Sequence, residues 1–589
     1  MSGRSFGPRL TAGGVEFRLW ATSAQKVEVM LEGAAHPMRR DDDGWHRAEI
    51  AGLGAGARYR FRIDGGLDVP DPGSLFQPDD ITGPSEVIDH DAYEWRATDW
   101  RGRPWAETVL LEAHVGTFTP EGSYRAMIDK LDHLVATGIT ALELMPLADF
   151  PGQRNWGYDG VLWYAPDSAY GRPEDLKALI DEAHSRGLMV FLDVVYNHFG
   201  PEGNYLGSYA PGFFTDSQTP WGSAINYHVS EVRAFTIENA LHWLRDYRFD
   251  GLRLDAVHAI PDQGEIPMLR ELSREAGKLA AETGRHIHLV LENDDNIAAV
   301  LDPVTDPSRG QYRAQWNDDY HHAWHVALSG ESRGYYADYA DAPLRHLARA
   351  LGSGFAYQGE PSPHRGGTPR GQPSGELPPL AFVNFLQNHD QIGNRALGDR
   401  LERLARPEAI EAALAITLLA PTVPMLFMGE EWGAQAPFPF FCDFQGHLAE
   451  AVRAGRRKEF AGAYETYGDD VPDPLSADAF NSAVLDWRER DSGAGAQRLA
   501  LVSRLLQVRR NAIVPRLAGA RFGTADIVDG GLLTASWRLG DGATLELVAN
   551  LSDDQRDHGV SPAAGTILWG GDWNQILPPW AVSWRLEHP

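Results

Sequence analysis

Between residues 109 and 429 short apolar runs alternate with amphipathic segments, and no other feature of the chain limits its fold so strongly. The runs are VLLEAHV (109–115), ALELMP (141–146), LMVFLDVV (188–195), FDGLRLDA (249–256), IHLVLE (287–292), YRAQWN (312–317), LAFVNFLQ (380–387) and VPMLFMG (423–429). Three of the units read plainly as helix, glycine, strand: LDHLVATGITALELMP, IDEAHSRGLMVFLDVV and LAAETGRHIHLVLE. Gly138, Gly187 and Gly284 then take the left-handed position just past a helix end, where a side chain would be strained. Eight strands in strand–helix alternation predict a (β/α)8 TIM barrel, with a large doubly wound sheet as the other arrangement of the same pattern.

A chain of 589 residues exceeds what one hydrophobic core supports, so further domains are expected on either side. The alternating runs VEFRLWA (15–21), KVEVML (26–31) and RYRFRID (58–64), separated by Gly and Asp clusters, predict an N-terminal β-sandwich over 1–95. The barrel is expected over 96–515, ending with the helix QRLALVSRLLQVRR (497–510). The runs LLTASWRL (532–539) and ATLELVANL (543–551) predict a C-terminal β-sandwich over 516–589. Two long loops are expected within the barrel, at 352–379 and 467–480, and loops of that length are usually functional or disordered. The apolar stretch 412–429 is broken by Pro421 and Pro424, which predicts a buried helix, a turn and a buried strand instead of a membrane span.

Eighty-two acidic residues against 53 basic ones give a net charge of −29. A field of that sign repels nucleic acid and anionic lipid, leaving a neutral small molecule as the better partner. Cys442 is the only cysteine, so no internal disulfide can form; the first residues show no apolar signal core, and a cytoplasmic location is expected. A monomer is the expected state.

In a barrel of this kind the active site lies at the C-terminal ends of the strands. The third strand runs into Asn197 and His198, the fourth ends at Asp255, the fifth at Glu292, and the seventh is followed by Asn388, His389 and Asp390. Arg253, two residues before Asp255, shares its face and looks into the lumen. One acid at a strand end usually means a solvated loop or a helix cap. Three acids converging on one mouth instead suit glycoside hydrolysis, in which one carboxyl acts as acid and another as nucleophile or base. Arg253 is expected to favour the ionised form of Asp255, while the surrounding negative charge keeps a proton on Glu292. Trp156, Tyr158, Trp163, Tyr205, Trp221 and Trp316 fall in or near the same loops, where aromatic rings would pack on the apolar faces of sugars.

Histidine also offers a metal reading. His286 and His288 form an HxH pair, but at the N-terminal end of the fifth strand, and HHAWH (321–325) lacks the glutamate of the HExxH zinc motif.

The motifs DVVYNH (193–198), GLRLDAVHA (251–259), VLEND (290–294) and FLQNHD (385–390), in this order at strand ends, resemble the α-amylase family of glycoside hydrolases. The resemblance implies Asp255 as nucleophile, Glu292 as general acid/base and Asp390 as transition-state stabiliser. It further implies that Tyr158, His198, Arg253 and His389 hold the sugar before the cut bond. His258 and Trp221 are expected as additional substrate contacts, and the loops around Trp221 and 352–379 are expected to recognise the trehalose unit. Asn197 matches a position that binds calcium in many members, but no partner ligands are evident, and no metal or other cofactor is expected. DPGSLFQPDDITGPSEVID (71–89), EAHVGTFTPEGSY (112–124), NWGYDGVLWYAPDSAYGRPEDLK (155–177), FLQNHDQIGNRALGDRL (385–401) and FMGEEWGAQAPFPFF (427–441) are most similar to members that cut the α-1,4 bond next to a terminal trehalose. The expected substrate is thus a maltooligosaccharide with a trehalose end. Branching or debranching of glucans on the same barrel, and non-catalytic glucan binding, remain the alternatives.

Overall fold

The computed structural model describes residues 4–219, 222–262, 267–301, 312–557, 565–571 and 576–589. Eight parallel strands close into a barrel in chain order: β1 (Leu110–Ala113), β2 (Ala141–Leu144), β3 (Met189–Val194), β4 (Gly251–Leu254), β5 (His288–Leu291), β6 (Ala314–Trp316), β7 (Phe382–Phe385) and β8 (Val423–Phe427). Each falls inside a run read from the sequence, and pairing of β1 with β8 completes the ring and excludes the open sheet.

Local chemistry sets the turns of the barrel. The helix Leu131–Thr137 stops at Gly138, whose φ of 104° turns its N–H back onto the carbonyls of Leu134 and Val135. Gly187 (φ 76°) and Gly284 (φ 65°) follow the helices Pro173–Ser185 and Met268–Thr283 in the same way. The apolar stretch 412–429 is the body of the helix Pro407–Leu419, a turn and the strand β8, buried from Ala412 onward. Arg509 closes that helix by donating to the carbonyls of Leu418 (3.1 Å) and Ala420 (2.5 Å), a cation placed at a helix C-terminus. Among the described residues no helix is long and apolar enough to cross a membrane.

Before the barrel, one antiparallel sheet carries Gly14–Trp20 and Trp45–Ala51, and a second carries Val27–Leu31 and Arg58–Ile63. Their alternating buried and open positions bury Val15, Phe17, Val29, Tyr59 and Phe61 in a common core. After the helix Gly493–Val508 comes an antiparallel sheet of five strands in the order Arg521–Val528, Leu532–Arg538, Thr544–Asn550, Val582–Glu587, Thr566–Trp569. Trp537 and Trp584 stack at 5.5 Å and donate their indole N–H groups to the carbonyls of Leu351 and Ala415, fastening this sheet to two barrel helices. The barrel is thus flanked by N-terminal sheets and a C-terminal all-β unit.

The two expected loops are partly ordered structure. Residues 352–379 hold the end of the helix Pro343–Ser353 and a short hairpin pairing Glu360–Pro361 with Pro369–Arg370. Residues 467–480 include most of the helix Ala477–Ser482, whose N-cap Ser476 accepts from the Ala479 N–H.

Candidate active site

Each barrel strand turns every second side chain inward. The lower inward positions are apolar and buried: Leu110, Ala141, Met189, Phe191, Val290, Ala314, Val383, Val423 and Met425 form one cluster, separate from the core beneath the helices. Gly251 contributes no side chain because Phe191 fills the space; a Cβ there would lie 2.2 Å from its ring. Two residues further along the same faces come Glu112, Glu143, Asp193, Arg253, Glu292 and Trp316. The lumen therefore changes from hydrocarbon to charge within one step of the strand.

Arg253 links this upper layer. Its guanidinium donates to Asp193 (2.6 Å) and Asp255 (2.8 Å) through Nη1, pairs with Glu292 (2.9 Å) through Nη2, and lies over the Trp316 ring at 4.2 Å. The Tyr158 hydroxyl donates to Asp193 at 2.6 Å. The ladder between β3 and β4 pairs Asp193 with Arg253, so register alone sets the first contact. Between β4 and β5 the ladder pairs Leu254 with Leu291. One residue on, Asp255 therefore stands beside Glu292 on strands spaced about 4.8 Å apart. The next residue, Ala256, has a φ of 39° and gives its N–H to Glu292 at 2.8 Å. A left-handed alanine costs roughly 1–2 kcal/mol, and this one lies directly against the acidic pair.

Burial raises the pKa of both Asp255 and Glu292, with the Arg253 guanidinium opposing it in each case. Between the two carboxyls the interaction lowers Asp255 and raises Glu292. Arg253 does pull toward the ionised form of Asp255, as the sequence suggests, but burial outweighs it.

Asp390 lies one residue into the short helix that follows β7, and Asn394 donates to it at 2.7 Å. Its carboxyl is also raised by burial, opposed by His389. His389 stacks on Tyr158 with ring centroids 5.0 Å apart; its Nδ1 is bonded to Glu112, which also takes the His389 N–H at 3.0 Å. Burial lowers the His389 pKa, but the Glu112 carboxylate more than reverses this. His198 Nε2 meets the Tyr158 carbonyl at 3.0 Å, and burial pushes this histidine down to about 4. The Asn197 amide donates to Asp255 (3.1 Å) while its oxygen is bonded to His198, so both ends are engaged within the site.

Seven of the expected side chains, Tyr158, His198, Arg253, Asp255, Glu292, His389 and Asp390, thus share one mouth. His258 is exposed at its edge, where its Nδ1 faces the Asp294 N–H at 3.3 Å. Trp221 lies outside the described residues. The aromatic cleft is corrected: Trp163 is buried face to face with Phe199 at 4.0 Å, Trp156 is buried against Phe438, and Trp316 underlies Arg253. Their indoles fill the walls, because a barrel rim needs large side chains to close the gaps between diverging loops. His286 stacks on His288 at 6.1 Å, and His288 bonds the Arg103 carbonyl at the lower end of β5. His321 and His325 are taken by Leu386 and Glu331.

Glu112, Glu143 and Asp193 were not singled out from the sequence as site residues. Their signal is present, since each is a lone carboxylate inside an apolar run, at the position Arg253 occupies in its own run. Among the described residues His90, His242 and Asp246 form a group able to hold a metal ion, but Arg4 donates to both His242 (3.0 Å) and Asp246 (3.2 Å) and already supplies the positive charge.

Comparison with known proteins accords with this geometry. The family model described as the alpha amylase catalytic domain matches residues 89–210, and carbohydrate-binding module 48, the isoamylase N-terminal domain, matches 5–78. A domain of unknown function matches 520–584. The malto-oligosyltrehalose trehalohydrolase of Deinococcus radiodurans is 46% identical over 499 residues, covering 84% of this chain and 81% of that protein. The one from Brevibacterium helvolum is 36% identical over 98% of this chain and 99% of its own. A crystal structure from Salmonella typhimurium, provisionally assigned as an alpha amylase, superposes with a TM-score of 0.95 at 46% identity, each chain covered fully. The chain belongs to the malto-oligosyltrehalose trehalohydrolases, within the α-amylase family of glycoside hydrolases.

Proposed function

We propose that this chain hydrolyses the α-1,4 bond between a maltooligosaccharide and its terminal trehalose, with retention of configuration at the cut carbon. The observation that carries the reading is the arrangement of Asp255 and Glu292, side by side on β4 and β5 and held by one guanidinium. Carboxyls about 5 Å apart suit a double displacement, whereas inversion needs the wider gap that admits a water between them.

Asp255 attacks the anomeric carbon as the bond to the leaving oxygen breaks, and Glu292 delivers its proton to that oxygen, which departs as trehalose. The glycosyl ester on Asp255 is then opened by water. Glu292, now a carboxylate, takes the water proton, the water oxygen joins the anomeric carbon, and Asp255 regains its charge. Asp390 and Arg253 border the ring as it becomes oxocarbenium-like, with Asp390 stabilising the positive charge. Tyr158, His198 and His389 form the wall against which that ring rests. His258, at the rim, and Trp221 are assigned to the outer substrate contacts.

The folding units assigned to this work are the N-terminal module over 1–95, the catalytic barrel over 96–515 and the C-terminal unit over 516–589. The single cysteine is buried, so the chain has no need of an oxidising compartment, which suits the cytoplasm.

Incubation with maltooligosyltrehalose is expected to yield trehalose and a maltooligosaccharide in equal amounts. Chains with new α-1,6 branches from amylose, or debranching of glycogen without trehalose release, would assign the barrel to one of the alternative reactions.

A further inference from the structure

On one side of the mouth the Tyr158 hydroxyl, Arg253 Nη1 and His389 Nδ1 each have a protein partner. On the side reached through β6 stands Asp318, the first residue of the helix Asp318–Ser329, two residues beyond Trp316. It is 9% exposed, yet its carboxyl makes no hydrogen bond or ion pair among the described residues. A buried carboxyl without a partner is costly, and such groups persist where something else satisfies them.

Its surroundings indicate what that is. Burial raises the Asp318 carboxyl well above the ordinary range, and the charges of Glu292, Asp294 and Asp390 add to this against Arg370. In its neutral form it both donates and accepts, which suits a sugar hydroxyl better than an ion. The adjoining wall is rigid: Asp294 holds Arg365 (2.5 Å) and Arg370 (2.8 Å), fixing the hairpin from 352–379 next to the strand that ends at Glu292. Glu292 is the group that protonates the leaving oxygen, so what lies beside it on this flank faces the departing unit.

We infer that Asp318 is a specificity-determining residue that hydrogen-bonds the hydroxyls of the departing trehalose. The inference rests on the roles given above to Asp255 and Glu292.

The test uses the full chain and its Asp318→Asn and Asp318→Ala variants, with the wild type releasing trehalose from maltooligosyltrehalose as the control. If the wild type releases none, the functional reading itself fails. With that control in place, kcat/KM on maltooligosyltrehalose is expected to fall about tenfold. Competitive inhibition by maltotriose, a probe that lacks the trehalose unit, is expected to stay within twofold. An unchanged kcat/KM, or an equal weakening of maltotriose, would overturn the assignment. A displaced basic limb of the pH profile would overturn it as well, because Asp318 would then act through the Glu292 proton and not on the sugar.

Discussion

The floor and the mouth of the barrel lumen are built by the same strands, two residues apart, and differ in nearly every physical respect. The floor is a cluster of Leu, Val, Met, Phe, Ala and Trp side chains, and the histidine packed on it, His288, is lowered to about 4 by burial. The mouth holds Glu112, Glu143, Asp193, Arg253 and Glu292, and the one guanidinium joins Asp193, Asp255 and Glu292 by contacts of 2.6–2.9 Å. Hydrophobic burial stabilises the floor directly. The mouth is different, since desolvating charges costs about as much as their attraction returns and the layer holds only while its members stay paired. A stable scaffold thus carries a layer that contributes little stability and all of the proposed chemistry, and the strands keep that layer within hydrogen-bonding tolerance.

The largest expected effect falls on the mouth alone. Asp255→Asn removes the attacking oxygen while keeping the shape of the side chain, and should lower kcat by roughly 10⁴-fold or more with little change in thermal stability. Steady-state kinetics with a melting curve on the same preparation read both; turnover within tenfold of wild type would break the division between the two layers.

Arg253→Met should damage both properties. Removing the guanidinium leaves its three partners, Asp193, Asp255 and Glu292, uncompensated, with an expected loss of about 3–5 kcal/mol in denaturant unfolding and of most activity. The floor behaves in the opposite way: Met425→Ala leaves a cavity and should cost about 2–4 kcal/mol while the pH dependence of kcat/KM keeps its shape. A shifted profile in that variant would show that the floor tunes the acids, and the two layers would no longer be separable.

The smallest effect sharpens the comparison through pH. His198 is held down to about 4 by burial, so between its ordinary pKa and that value the unfolded chain binds a proton that the folded chain does not. Its contribution is present above pH 6.5 and is lost as pH falls toward 4, amounting to about 1 kcal/mol over the first unit. His114 in the wall and His288 at the floor are lowered to about 4 as well and share the slope. His90, His321 and His322 are pushed down further still, so His198→Asn should flatten that acid limb by no more than about a sixth in unfolding measured from pH 7 to 5. An unchanged limb would mean that His198 is already charged in the fold.

The strands were legible in the sequence because their signal is local: short apolar runs, and a glycine after three of the preceding helices, need no knowledge of the remaining chain. Asp255, Glu292 and His389 were legible for a related reason, since they terminate such runs. Glu112 and Asp193 were not, because their meaning depends on partners 277 and 60 residues away that only barrel closure supplies. The tryptophans show the opposite failure. Trp156 and Trp163 follow β2 on the way to the next barrel strand, but stacking on Phe438 and Phe199 turns them into wall, and contacts so distant in the chain leave no local trace. Asp318 reads as one of many acids at a helix start; its missing partner is visible only in three dimensions.

The central claim is that Asp255 attacks the sugar while Glu292 protonates the departing unit. Proton NMR of maltooligosyltrehalose hydrolysis, recorded before mutarotation, observes the outcome directly. The newly formed reducing end should appear first as the α-anomer and drift to the equilibrium mixture; initial appearance of the β-anomer would contradict the account.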